Sequence, residues 1–168
     1  MSASFRHFAL CALLAAPASA QTCFRACLAP RIAAGDIADQ QIRSQMRTCR
    51  NLCEAQALSA PGLAEKLEAS EPQAVSDADM KRVRAASPGI AAYADAFTWD
   101  VRNVLDNRVI RRVEIATQNL ELQEVVLAGA GTVLPGATET VLVAAFSGGY
   151  PSVAAAARVR AIYACPLP

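Results

Sequence analysis

The chain has 168 residues, with 16 Lys and Arg against 15 Asp and Glu, one histidine and six cysteines. This near-neutral balance lacks the strongly basic character typical of nucleic-acid-binding proteins, and we expect no nucleic-acid partner. The only histidine, His7, lies in a segment that we predict is removed, so a Ser-His-Asp triad, a Cys-His pair and a histidine metal site are excluded from the mature chain. An enzyme could still use carboxylates, lysine or thiolates. We expect a protein that is not an enzyme and carries no cofactor.

Residues 1–20 have the features of a signal peptide. Arg6 lies in a polar start, an apolar run extends from Phe8 to Ala16, and Ala18-Ser19-Ala20 forms an Ala-x-Ala cleavage motif. The run is too short to span a bilayer, and an alternative interpretation is a lipoprotein signal with Cys11 acylated. Cleavage after the motif leaves 148 residues with no predicted transmembrane segment, and we expect them to be periplasmic or secreted.

Two copies of a Cys-x3-Cys motif follow, Cys23 with Cys27 and Cys49 with Cys53. Within one helix, residues four apart have Cβ atoms ~5–6 Å apart, too far for the ~3.8 Å of a disulfide. Between antiparallel helices, the outer cysteines meet each other and the inner cysteines meet each other. The spacing therefore predicts disulfides Cys23–Cys53 and Cys27–Cys49 in a helical hairpin over residues 21–60, and cross-linking the inner loop should stabilise it by roughly 3 kcal/mol.

The second helix of this hairpin is predicted from a stripe of apolar residues and cysteines. Asp36 and Asp39 resemble its N-terminal cap, while Pro30 leaves open whether the first helix ends early or continues to Gly35. Three arginines follow one edge of the second helix beside the stripe, as a candidate partner-binding surface or an ordinary solvated face. The stripe is Ile42, Met46, Cys49, Cys53 and Ala57, and the basic edge is Arg43, Arg47 and Arg50.

A helix pair with twin Cys-x3-Cys motifs resembles the coiled-coil-helix-coiled-coil-helix proteins, over residues 23–53 only. Members of that family are mostly scaffolds, assembly factors and chaperones, so the resemblance implies a non-enzymatic role. Alternatives for Cys23, Cys27, Cys49 and Cys53 are a reduced four-thiolate site for zinc or copper, or a redox carrier. The remaining cysteine of the mature chain, Cys165, is expected to be a buried or idle thiol.

Residues 61–95 are predicted to be a helical linker. One short helix is expected from Leu63 to Ala69. Ser76 resembles the cap of a second helix, which should stop near Ala86 because Pro88 follows.

From residue 96 onward, apolar residues recur at every second position, as in a β-strand. Phe97, Trp99 and Val101 alternate with polar residues, which predicts an inward face with Trp99 in the core, although an exposed binding face is an alternative. A turn is expected from Asn103 to Asn107. Val101, Leu105, Val109 and Val113 also step by four, as in a helix, but the density of Val and Ile favours strands.

The rest of this segment reads as strands separated by glycine and proline. Arg111 is expected to be an exposed neighbour of the core strands. Further strands are predicted at Val109 to Ile115, Leu122 to Leu127, Glu139 to Phe146 and Arg158 to Ala164, with loops at Gly129-Ala130-Gly131 and around Gly148-Gly149 and a type II turn at Pro135-Gly136.

The predicted fold class is α+β: an N-terminal disulfide-stapled antiparallel helical hairpin, short linking helices and a small antiparallel β-sandwich over residues 96–168, with separate cores. The last segment loosely resembles the immunoglobulin-like accessory domains of bacterial envelope proteins. We expect a binding, scaffold or assembly protein of the bacterial envelope, whose partner is an envelope protein. The alternative is a thiol-based metal carrier or redox protein.

Overall fold

The computed structural model describes residues 21–33, 38–93, 96–119, 121–144 and 153–167. The predicted signal peptide, the capping residue Asp36 and the predicted loop at Gly148-Gly149 lie outside the described residues. Within the described ranges, no helix is long and apolar enough to cross a membrane.

The predicted α+β fold class is confirmed. A disulfide-linked pair of helices is followed by short helices and then by two antiparallel sheets that pack together. In chain order, the elements of the described residues are α1 (Cys23–Ile32), α2 (Asp39–Ala57), α3 (Leu63–Glu68), β1 (Gln73–Ala74), α4 (Asp77–Ala86), β2 (Ala91–Tyr93), β3 (Ala96–Arg102), β4 (Arg108–Gln118), β5 (Glu124–Val133), β6 (Thr138–Ala144) and β7 (Val153–Pro166).

The main core lies between a four-stranded sheet, in the order β1-β7-β4-β5, and a three-stranded sheet, in the order β2-β3-β6. The predicted inward face of β3 is confirmed, because Phe97, Trp99 and Val101 all belong to this core. Trp99 is 2% exposed, and its indole Nε1 donates a hydrogen bond to the carbonyl oxygen of Pro88 at 2.8 Å. Both halves of this amphipathic side chain are therefore satisfied in the interior.

The linking helices form where the sequence predicts them. Helix α3 begins at Leu63, and helix α4 begins after Ser76, whose Oγ accepts a hydrogen bond from the backbone N–H of Asp79 at 3.1 Å. Val83 of α4 is completely buried and joins the main core. Helix α4 is therefore part of the packed structure and contacts β3 and β7.

Two short strands in the same segment have no sequence signal. Strand β1 has two residues and pairs with β7, and strand β2 has three residues and pairs with β3. Both contain alanine and lack a β-branched run. Their strand conformation comes from pairing with a long neighbour and not from local propensity.

The hairpin packs on the three-stranded sheet, which corrects the expectation of separate cores. Phe24 and Leu28 of α1 and Met46 of α2 form one buried cluster with Ala96 of β3 and Leu142 of β6. Side chains alternate between the two faces of a strand, so the outer face of this sheet lies under the hairpin while its inner face lies on the main core. The result is a three-layer arrangement.

Helix α1 continues past Pro30 and ends at Ile32. A proline in this position removes the N–H that would bond one turn back, but α1 is held by the burial of Phe24 and Leu28 and by two disulfides. Tertiary constraints therefore outweigh the local preference to stop.

The predicted loop at Gly129-Ala130-Gly131 is wrong, because these residues lie inside β5. A Cβ atom built on Gly129 would lie 2.5 Å from Cγ2 of Val143 and 2.7 Å from the backbone oxygen of Leu142. The glycine is therefore required for the close approach of β5 to β6, and not for a turn. The type II turn predicted at Pro135-Gly136 is present, with φ +72° at Gly136 and the Ala137 N–H bonded to the Leu134 oxygen.

Asn103 ties the loop after β3 to the turn between β5 and β6. It is completely buried, and its Nδ2 donates to the backbone oxygens of Arg108 and Val133, each at 2.8 Å. Its Oδ1 accepts from the N–H of Leu105 at 3.0 Å, and its own backbone bonds Gly136 and Ala137. One side chain therefore fixes the ends of three strands.

Replacing the buried tryptophan should test the main core. Trp99→Ala removes a side chain that fills the space between the two sheets, and we expect the free energy of unfolding to fall by ~3–5 kcal/mol. The measurement is chemical denaturation, with the exposed Arg160→Ala as control. Unchanged stability together with lost capture of a partner would place Trp99 in an interface and contradict the core assignment.

A glycine pair should test the approach of β5 to β6. Gly129→Ala places a methyl group against backbone atoms that cannot rotate away, so we expect a loss of ~1–3 kcal/mol, whereas Gly89→Ala has nothing within 4 Å and should be nearly neutral. Both variants would be compared with the wild type by thermal unfolding. Equal stability of the two variants would mean that β5 and β6 are farther apart than described.

Candidate functional site

The disulfides join α1 to α2 in the predicted pairing. Cys23 bonds Cys53 and Cys27 bonds Cys49, with Cα–Cα distances of 5.8 and 5.6 Å. The two outer cysteines therefore bond each other and the two inner cysteines bond each other, as antiparallel helices require. In this oxidised state the four sulfurs offer no thiolate to a metal ion.

The start of α1 is fixed on the three-stranded sheet by a closed ring of hydrogen bonds. Thr22 caps the helix by accepting from the Arg25 N–H at 3.3 Å, and its hydroxyl bonds that of Thr140. Thr140 donates to Asp100 Oδ1 at 2.7 Å, and Arg25 Nε bonds the same carboxylate at 2.7 and 3.0 Å. Every polar group that the hairpin covers here has a partner, so its burial costs little.

A second polar cluster fixes the end of α2 on the four-stranded sheet. Arg111 of β4 bonds Glu54 at 2.9 Å, Thr132 of β5 donates to the same carboxylate oxygen at 2.6 Å, and Arg111 also contacts Thr132. The expectation that Arg111 is an exposed neighbour is wrong, since only 22% of its side chain is accessible. The hairpin therefore binds both sheets through side chains whose pairing only the fold reveals.

A cleft lies between these two polar clusters. Phe24, Arg50, Cys53 and Glu54 line it from the hairpin, and residues 131–133 of β5 and 139–141 of β6 line it from the sheets. Glu139 accepts a hydrogen bond from the backbone N–H of Cys23. Burial raises the pKa of Glu139 above its ordinary value, the hydrogen bond from Cys23 opposes this rise, and the negative charge of Asp100 adds to it.

The predicted basic edge follows one side of α2. Arg47 and Arg50 are exposed and Arg43 is half-buried. Arg50 bonds the neighbouring Asn51 at 3.2 and 3.3 Å and lines the cleft. The edge therefore lies beside the cleft and remains a candidate partner-binding surface.

Other candidate groups are engaged in the structure. Glu114 contacts Arg112 and accepts a hydrogen bond from the Tyr163 hydroxyl at 3.2 Å, and the Arg112 guanidinium lies 4.6 Å from the Tyr163 ring centre. Cys165 is a buried free thiol beside the Ser70 oxygen, as predicted. Among the described residues, no group of three or more His, Cys, Asp or Glu side chains is placed to hold a metal ion.

A scan against protein-family models, a search of curated proteins and a search of solved structures each found no match.

The pH dependence of stability should report on Glu139. The raised pKa in the folded state means that folding disfavours the ionised carboxylate of Glu139. The resulting loss of folding stability is absent at a pH below the ordinary pKa of 4.5 and is complete at a pH above the raised pKa. Glu139→Gln should therefore gain stability relative to the wild type as pH rises from about 4 to about 7. Urea denaturation at the two pH values measures this, with the exposed Glu65→Gln as control. A variant that loses stability over this range would contradict the assigned cause.

Proposed function

We propose that the chain is a non-enzymatic binding or assembly protein of the bacterial envelope, exported to the periplasm or secreted. Two features support the compartment. The first 20 residues read as a signal peptide, and disulfides persist in oxidising compartments. The resemblances of the hairpin to coiled-coil-helix-coiled-coil-helix proteins and of the last segment to immunoglobulin-like accessory domains favour a scaffold over an enzyme.

The observation that carries the proposal is the exposed basic edge on a rigid hairpin. One side of α2 packs on α1, Glu54 is bound to the four-stranded sheet, and Arg47 and Arg50 remain at the surface. A helix held by two disulfides loses little conformational freedom when a partner binds. The partner that fits this surface is an envelope protein with an acidic face, because opposite charges steer association and set specificity.

Charge reversal on the edge should test the proposal. Arg47→Glu with Arg50→Glu should lower the yield of the cross-linked partner from the native envelope by about tenfold, a difference of ~1.4 kcal/mol in binding. The matched control is Lys81→Glu with Arg84→Glu on α4, which changes the charge equally at two exposed positions. Both double variants should unfold at the wild-type temperature.

Equal partner yields from the two double variants would show that the basic edge is not the interface. Catalytic activity of the purified chain in the absence of its partner would contradict the non-enzymatic assignment.

A further inference from the structure

The two disulfides of the hairpin have different surroundings. Cys23 and Cys53 are both half-buried, and Cys53 lines the cleft between the hairpin and the sheets. Cys49 of the other bond is completely buried in the cluster that joins the hairpin to the three-stranded sheet. The outer bond therefore joins two partly exposed residues, whereas the inner bond joins the half-buried Cys27 to the completely buried Cys49.

Thiol–disulfide exchange depends on which sulfur is attacked and which one leaves. An incoming thiolate forms a bond to one sulfur, and the electron pair of the broken S–S bond leaves on the other as a thiolate. Exchange is fast where the attacked sulfur is accessible and the leaving thiolate is stabilised. The two requirements fall on different residues of the same bond.

The outer bond meets the requirement for access, because neither of its residues is fully buried. Cys23 is the first residue of α1, where the partial positive charge of a helix N-terminus favours a thiolate. The Cys23 N–H already donates to the Glu139 carboxylate, and Gln56 Oε1 lies 3.4 Å from Cys23 Sγ, so a negative charge and an acceptor oxygen oppose that effect. Access is therefore what separates the outer bond from the inner one.

The inner bond fails in both directions. Arg31 Nη1 lies 3.1 Å from Cys27 Sγ and would stabilise a thiolate there, but releasing Cys27 requires attack on the completely buried Cys49. Attack on the accessible Cys27 would instead release Cys49 as a thiolate among apolar side chains, where its charge is disfavoured. The inner bond is therefore protected by the same packing that holds the hairpin on the sheet.

We propose that Cys23–Cys53 is an exchange site for dithiol reductants, while Cys27–Cys49 is a structural bond that keeps the hairpin in place. In the first step a thiolate of the dithiol bonds one sulfur of the outer disulfide, and the other sulfur leaves as a thiolate. In the second step the other thiol of the dithiol, deprotonated, displaces the first sulfur as a thiolate. The hairpin gains two thiols, and the dithiol is oxidised to its disulfide.

The site is independent of the partner-binding role proposed above, because it requires only a disulfide that a thiolate can reach.

Trapping with glutathione should test the order in which the two bonds open. The full oxidised chain is exposed briefly to reduced glutathione, quenched with acid, alkylated and mapped by mass spectrometry. Glutathione and the alkyl label should appear on Cys23 and Cys53, one on each, at least about tenfold faster than on Cys27 or Cys49. Opening of the inner bond first, or equal rates for the two bonds, would overturn the proposal.

A double variant separates protection by packing from protection by the outer bond. In Cys23→Ser with Cys53→Ser, the inner bond should open as slowly as it does in the wild type. An inner bond that becomes as reactive as the wild-type outer bond would show that its surroundings do not protect it, and the assigned division between the two bonds would be wrong.

Discussion

The three-stranded sheet is covered on both faces, and the rest of the structure depends on that constraint. Its inner face, with Phe97, Trp99 and Val101, fills the main core, while Ala96 and Leu142 on its outer face lie under the hairpin. A sheet this small needs a packed layer to be stable, and the four-stranded sheet supplies that layer on its inner face. The hairpin covers the outer face, and Phe24 and Leu28 of the hairpin are buried against it.

Covering a sheet face that carries polar side chains requires partners for each of them. Asp100 and Thr140 lie opposite each other on β3 and β6, and both would be desolvated without partners if the hairpin were purely apolar. At the start of α1, Thr22 forms a hydrogen bond with Thr140, and Arg25 donates to Asp100. The disulfides therefore determine the shape of the hairpin, and the polar contacts determine how it is oriented on the sheets.

The sequence predicts features with a local physical signature. The cysteine spacing leads to one pairing because intrahelical bonds are geometrically excluded, and alternation places Trp99 in the core. Sequence-based prediction fails where contacts between distant segments determine the local structure. Polar Thr98 and Asp100 on the outer face of β3 are equally typical of a sheet face in contact with water, so nothing in β3 predicts that a helix covers it. Gly129 resembles a loop residue in the sequence, and only the position of β6 in the fold shows why a glycine is needed there. The ion pair of Glu54 with Arg111 spans 57 positions, which no local pattern can indicate.

The candidate binding edge and the proposed exchange site lie close together on α2. Arg47 and Arg50 precede Cys53 by six and three residues, so they lie within ~9 Å of it along the helix axis. Because the inner disulfide and the buried cluster hold the helix, opening the outer bond would change the chemistry of this surface without releasing the hairpin. A partner bound at the arginines would therefore meet either a closed disulfide or a thiol pair on the same rigid helix, and only a partner with its own dithiol could distinguish the two by reacting with them.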